Sequence, residues 1–215
     1  MLGSPLLALS VAEPFTRYIF CDKDERNIEA LRARVERDFA WADARFVNAP
    51  GVGAVDEIIS HLPRGTSTLN FCFADPFDLE FDFRIVERLA RGRKMDFLTL
   101  LAAQMDGQRN VANYLGPSNT RIERLLNEPD WRAKWDAARK AGAKFQWFLV
   151  EEYYNAMERI DYTRPKPSDA HKVETESRSV PLYYLLFFSR HVLGYKFWRE
   201  ALKYSDSQRS LSLFD

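Results

Sequence analysis

Leu69-Asn70-Phe71-Cys72-Phe73-Ala74-Asp75-Pro76-Phe77 decides the fold. A strand that alternates apolar with polar residues needs cover on one face only. A nearly unbroken apolar run such as Leu69 to Ala74 needs cover on both, which is typical of parallel sheets. Pro76 stops the run, because proline brings no N–H to a strand ladder. Downstream, Ile85, Val86 and Leu89 mark one face of a helix, and Asp96 to Leu101 reads as another strand. Upstream, Val55, Ile58, Ile59 and Leu62 mark a helix closed by Pro63 and Gly65, preceded by a strand from Ala44 to Val47. Before that, Asp24 can cap a helix whose apolar face is Ile28, Leu31 and Val35, and Arg17 to Cys21 reads as the first strand. Ser4-Pro5 reads as a cap with proline at the first helical position, opening a helix that stops near Pro14. Strands alternating with helices predict an α/β fold: a Rossmann-like, doubly wound, mostly parallel sheet.

The second half differs. Residues 113–179 read as a mainly helical insertion followed by a polar linker. Pro129 and Gly142 bracket a segment holding Trp131 and Trp135, an i,i+4 pair more at home in a core than on a base-stacking platform. Tyr162 to Ser179, with Pro165 and Pro167, reads as an exposed connection. Leu182 to Ser189 is again strand-like, and a last helix is predicted from about Lys196 to Tyr204. A chain of 215 residues is long enough for one sizeable core, and a single domain, 1–215, is expected.

Bulk charge excludes little. Thirty-one basic residues balance thirty-one acidic ones, so no whole-protein field attracts nucleic acid, although a local basic patch leaves that partner open. Cys21 and Cys72 sit in apolar runs, where a thiol is usually a small buried hydrophobe, and their spacing makes no zinc pattern. His61, His171 and His191 have no neighbour at metal spacing, so no metal site is expected. The strongest apolar stretch, Val180 to Phe188, falls short of the roughly 20 residues a bilayer needs. With no signal-peptide pattern either, a cytoplasmic location without membrane contact is expected.

Ligands of open α/β sheets bind outside the C-terminal ends of the strands, so the polar residues at those ends are the candidates. Asp22 ends the first strand and can accept both hydroxyls of an adenosine ribose. Asp22 and Asp24 could equally serve only as helix caps; Asp24 suits the cap better, which leaves Asp22 for the ribose. Asn48 ends the second strand where a residue contacting adenine would stand, although Asn before Pro-Gly is also an ordinary turn. Asp75, Pro76 and Phe77 can floor a site for a planar amine: Asp75 orients the nitrogen or takes its proton, and Phe77 stacks on the ring. An Asp-Pro turn is the plainer reading of the tripeptide, and its place after a buried strand favours the functional one. Asp106 and Arg109 form a polar cluster after the fourth strand, where Arg109 can clamp a phosphate or carboxylate.

Several segments, in order, resemble a known family. They are Gly3-Ser4-Pro5-Leu6-Leu7-Ala8-Leu9, Ala74-Asp75-Pro76-Phe77, Met105-Asp106-x-x-Arg109-Asn110, and Leu182 to His191 with Gly194, Phe197 and Trp198; Gln208 to Leu211 also fits. The set is similar to the three-Cys-motif partner proteins (TcmP), a bacterial family. The resemblance implies a class I methyltransferase-like fold with S-adenosylmethionine as cofactor. It also implies a radical-SAM-like partner protein that carries the three-cysteine motif. It assigns Gly3, Ser4, Asp22 and Asn48 to the cofactor and Asp75, Pro76 and Phe77 to catalysis. The chain departs from the pattern twice. The family's strand and loop Asp-Gly-Phe-Ala-Gly-Pro-Gly would precede Met1, and Asp78 stands where glycine usually follows Asp-Pro-Phe. That strand would lie between those ending at Asp22 and Asp75, and losing about ten ladder hydrogen bonds at ~1 kcal/mol each would consume much of a domain's stability. Two functions follow: a methyltransferase acting on a nitrogen of a base or similar planar amine, or a non-catalytic interaction protein that has lost cofactor binding.

Overall fold

Asp24 starts its helix as predicted, accepting the N–H of Arg26 at 3.0 Å. The computed structural model describes residues 3–63, 67–76, 79–103, 110–174 and 181–211. The chain divides into two compact units, Met1–Arg64 and Gly65–Asp215.

In the first unit, α1 (Ser4–Leu9), β1 (Tyr18–Asp22), α2 (Glu25–Asp38), β2 (Ala44–Asn48) and α3 (Gly51–His61) follow one another. Gly3, not Ser4, caps α1, with proline in the first turn. The helix ends well before Pro14, because the Ser10 hydroxyl donates to the carbonyl of Leu6 and closes the last turn. β1 and β2 are parallel, in register from Tyr18 opposite Ala44 to Asp22 opposite Asn48. Leu6, Leu9, Tyr18 and Val35 form the core, with Phe20, Leu31 and Phe46 packed against it. Tyr18 stacks on Phe20, and its hydroxyl accepts the N–H of Phe15.

The second unit contains β3 (Leu69–Ala74), α4 (Phe83–Ala90), β4 (Lys94–Leu101), α5 (Val111–Leu115), α6 (Arg121–Leu126), α7 (Trp131–Lys140), α8 (Phe145–Glu158), β5 (His171–Glu174), β6 (Pro181–Phe188) and α9 (Val192–Leu211). Its sheet runs β3-β4-β6-β5. β3 and β4 are parallel, whereas β6 is antiparallel to both of its neighbours. On β4 the residues Met95, Phe97, Thr99 and Leu101 are buried and those between them half-buried. The Tyr162 hydroxyl donates to the carbonyl of Met95 at 2.6 Å, its ring meets Phe97 edge-on, and the Arg190 guanidinium lies over it.

Four expectations change. The strands fall into two sheets rather than one, each with one parallel pair, because β1 pairs with β2 and β3 with β4 and no described strand joins them. β3 is covered on one face only: Leu69, Phe71 and Phe73 remain exposed, although the apolar run demanded cover for both. The polar linker contains the strand β5, and Asp169 just before it is buried. Cys21 is exposed and Cys72 half-buried, so neither is a core thiol. Trp131 and Trp135 are buried, as their spacing predicts. Among the described residues no helix is long and apolar enough to cross a membrane.

One close approach is set by glycine. A Cβ on Gly194 would stand 2.5 Å from Ser189 Oγ and 2.7 Å from its Cβ. Ser189 cannot retreat: it is fully buried, and its Oγ accepts the N–H of His191. Gly194→Ala is expected to cost about 1–3 kcal/mol by overpacking, read as a lower urea midpoint at unchanged slope. Gly53→Ala, where an added Cβ meets nothing within 4 Å, is the control.

Candidate functional site

In the first unit, the parallel register sets Asp22 beside Asn48 at the C-terminal ends of β1 and β2. Asn48 Nδ2 donates to the carbonyl of Asp22 at 3.0 Å, which fixes the pair. Asp22 Oδ1 accepts the N–H of Asp24 at 2.8 Å, and Oδ2 accepts Asn27 Nδ2 at 3.0 Å. A carboxylate has about four acceptor positions, so two remain for a ligand. Asp22 is half-buried and Asn48 exposed. Asp24 is the cap of α2, and Asp22 serves the turn into that helix through both of its oxygens. Gly3 is exposed, its carbonyl occupied by Leu6 and Leu7, and the Ser4 side chain makes no capping bond. These two residues offer a ligand less than Asp22 does.

Cys21, next to Asp22, bonds weakly to the carbonyl of Ala49. Burial of its surroundings pushes the thiol up, and the carboxylates of Asp22 and Glu57 push it further. The thiol is therefore protonated and a poor nucleophile at neutral pH.

In the second unit, Asp75 and Pro76 continue β3 one and two residues past Ala74, which lies opposite Thr99 of β4. The Asp75 side chain is exposed, yet the protein behind it displaces enough water to push its carboxyl above the ordinary range. Phe77 and Asp78, with the stacking role, and Asp106 and Arg109, with the clamping role, lie outside the described residues. Asp22 and Asp75 stand on different sheets, each in its own unit.

Sequence reasoning passed over Gln146 at the start of α8, and helical spacing put Trp147 in the core with the other aromatics of that segment, which the structure corrects. Gln146 is buried at 8% exposure, and its Oε1 has no hydrogen-bond partner. Trp147 is exposed, and its ring lies 5.1 Å from that of Tyr184, which pairs with Leu101 at the end of β4. The only advance signal was a glutamine inside the apolar run Phe145-Gln146-Trp147-Phe148-Leu149-Val150.

At the opposite end of β4, burial pushes the Asp96 carboxyl up, while a hydrogen bond with Ser189 and the nearby His191 pull the other way. The Tyr195 hydroxyl there donates to the carbonyl of Thr163. These contacts tie the start of α9 to the sheet.

Compared with protein-family models, curated proteins and solved structures, the chain matches none, so the reading of these sites rests on their own geometry.

Proposed function

We propose that the chain is an S-adenosylmethionine-dependent methyltransferase acting on a nitrogen of a base or similar planar amine, as the resemblance to the three-Cys-motif partner proteins implies. The observation that carries this reading is the placement of Asp22 beside Asn48 at the ends of two parallel strands, with half of the Asp22 acceptor positions open. A vicinal diol is the ligand group that fills two neighbouring acceptor positions of one carboxylate, and adenosine offers it. The fit supports the nucleoside part of the cofactor. When bound, S-adenosylmethionine supplies a methyl group on a sulfonium, ready for transfer to a nucleophilic nitrogen. Within this proposal the resemblance assigns catalysis to Asp75, whose carboxyl is held above the usual range. A radical-SAM-like partner with the three-cysteine motif belongs to the same proposal.

Isothermal titration with S-adenosylmethionine and with adenosine tests the reading. Asp22→Ala is expected to weaken both by about 10–100-fold, since a charge-assisted pair of hydrogen bonds is lost. Equal affinity for adenosine and 2′,3′-dideoxyadenosine in the wild type would refute the diol role.

A second reading, a non-catalytic interaction protein, is favoured by one surface. Val192, Leu193 and Phe197 on α9 are exposed, the last at 69%. Leu193 and Phe197 share a face at i,i+4 spacing. Co-purification of the wild type and a Leu193→Ser/Phe197→Ser variant from the native host separates the readings. Loss of a partner with no change in cofactor titration favours the second.

A further inference from the structure

The turn from α4 into β4 gathers positive charge. Arg88, Arg91, Arg93 and Lys94 fall within seven residues. Gly92, at a φ of 68°, turns the chain between Arg91 and Arg93. The segment between β6 and α9 brings a fifth cation to the same turn. Arg190 donates through Nη1 to the carbonyls of Ala90 and Arg93, and through Nη2 to that of Ile160. Arg93 Nη1 donates to the carbonyls of Arg88 and Arg91, at 3.3 and 3.0 Å. Part of this is capping, since the last carbonyls of α4 have no partner within the helix.

Capping does not balance the charge. Among the described residues Arg91, Arg93, Lys94 and Arg190 form no ion pair with a carboxylate, and Arg93 Nε and Nη2 have no acceptor. Elsewhere in the same unit arginines are neutralised, as Arg84 is by Asp82 and Arg164 by Glu151 and Glu158. The acidic residues beside these segments are Asp96, half-buried and bonded to Ser189, and Asp161, exposed after Ile160. On a chain of zero net charge, such a cluster is a local attraction for a polyanion.

A nucleic acid fits it better than a lone anion, because recurring phosphates engage several cations at once and release a counterion at each. Just beyond Arg190 the rings of His191 and Phe197 are exposed, the second at 69%, and unpaired bases stack on such rings. We propose that this surface holds the phosphate backbone of a single-stranded nucleic acid. The methyltransferase reading, with a base as methyl acceptor, supports the class of partner; the surface itself is independent of the cofactor site. Lys94 lies opposite Leu69, six residues before Asp75, so the surface stands about 20 Å along the sheet from that carboxyl. It anchors a strand and takes no part in chemistry.

Fluorescence anisotropy with a labelled oligothymidylate of about 20 nucleotides tests this. The wild type is expected to bind, with an affinity that falls steeply between about 50 and 200 mM salt. Arg91→Gln/Lys94→Gln removes two exposed charges and leaves the capping residues Arg93 and Arg190 in place. It should bind about 10-fold more weakly, with a salt slope shallower by about 1.4. Arg139→Gln/Lys140→Gln, which removes the same charge from α7, should change affinity by less than about 2-fold. Equal losses in the two variants would reveal a general field and overturn the proposal. So would a wild type that ignores the strand, or one that binds phosphatidylserine vesicles through Arg91 and Lys94 in its place. S-adenosylmethionine titrated into the same wild type keeps the readings apart. Cofactor binding without the strand sinks this surface and leaves the cofactor site standing. Strand binding that needs Arg91 and Lys94, without the cofactor, does the reverse.

Discussion

Arg199→Ala is expected to lower the urea midpoint of the protein clearly more than Asp169→Ala does. The asymmetry follows from burial. Asp169 has a side chain at 2% exposure, whereas the Arg199 side chain is 43% exposed. The guanidinium grips both carboxylate oxygens at 2.7 Å, the N–H of Lys166 donates to one of them, and the indole of Trp198 donates to the Asp169 carbonyl. Removing Arg199 strands a buried carboxylate with one donor left. Removing Asp169 frees an arginine that water can solvate. Urea unfolding of the two variants, read at the midpoint, measures the difference.

The same pair predicts a pH dependence. The Arg199 hydrogen bonds hold the Asp169 carboxyl below the ordinary range, against the opposing effect of burial. A carboxyl lowered by folding contributes stability that is complete above its unfolded value of about 3.9 and is lost as pH falls through the folded value. In Arg199→Ala that contribution is gone, and burial acts on the carboxyl against Lys166 alone. The gap between wild type and variant should therefore be fullest at neutral pH, narrow as pH falls, and close below about pH 4. A gap that widens in acid would contradict the assignment.

Trp131→Ala is the second large effect, about 3–5 kcal/mol. Trp131 is fully buried and packs near Phe145, with the Arg132 guanidinium over its ring at 4.7 Å. Arg132 Nη2 donates to the carbonyls of Tyr114, Gly116 and Asn119, so the ring supports a side chain that ties the end of α5 to the segment after it. Trp131→Phe should cost much less, within about 1.5 kcal/mol, because the indole N–H has no partner and its removal relieves a buried donor. If Phe costs as much as Ala, the indole N–H has a partner after all, and a buried water is the first candidate. Calorimetric melting of both variants decides this.

Helix and strand identities were legible wherever period and punctuation agreed. Asp24 capped its helix, the apolar runs at Leu69 and Leu182 became β3 and β6, and Trp131 and Trp135 entered the core. β5 was hidden because His171 to Glu174 is short, polar and flanked by prolines, and it is a strand only because β6 is there to pair with it. Pairing partners were the least legible feature. Nothing in Tyr18 to Asp22 tells whether its neighbour is one strand or two, since a ladder belongs to two segments at once. Strand ends were readable to a residue, which puts Asp22, Asn48 and Asp75 at them. The unpartnered Gln146 Oε1 was not readable, because a glutamine in an apolar helix announces itself only in three dimensions.

The insertion of β6 between β4 and β5 has a consequence for how the molecule is made. Phe97 pairs with Phe188, 91 positions later. A ribosome adding about 5–20 residues per second needs roughly 5–18 seconds to deliver the partner after β4 has emerged. Throughout that interval one side of β4 has no strand beside it, and the helices from α5 to α8 are synthesised first. Nascent chains stalled before Pro181 should recruit holding chaperones through this waiting edge and release them once β6 clears the exit tunnel.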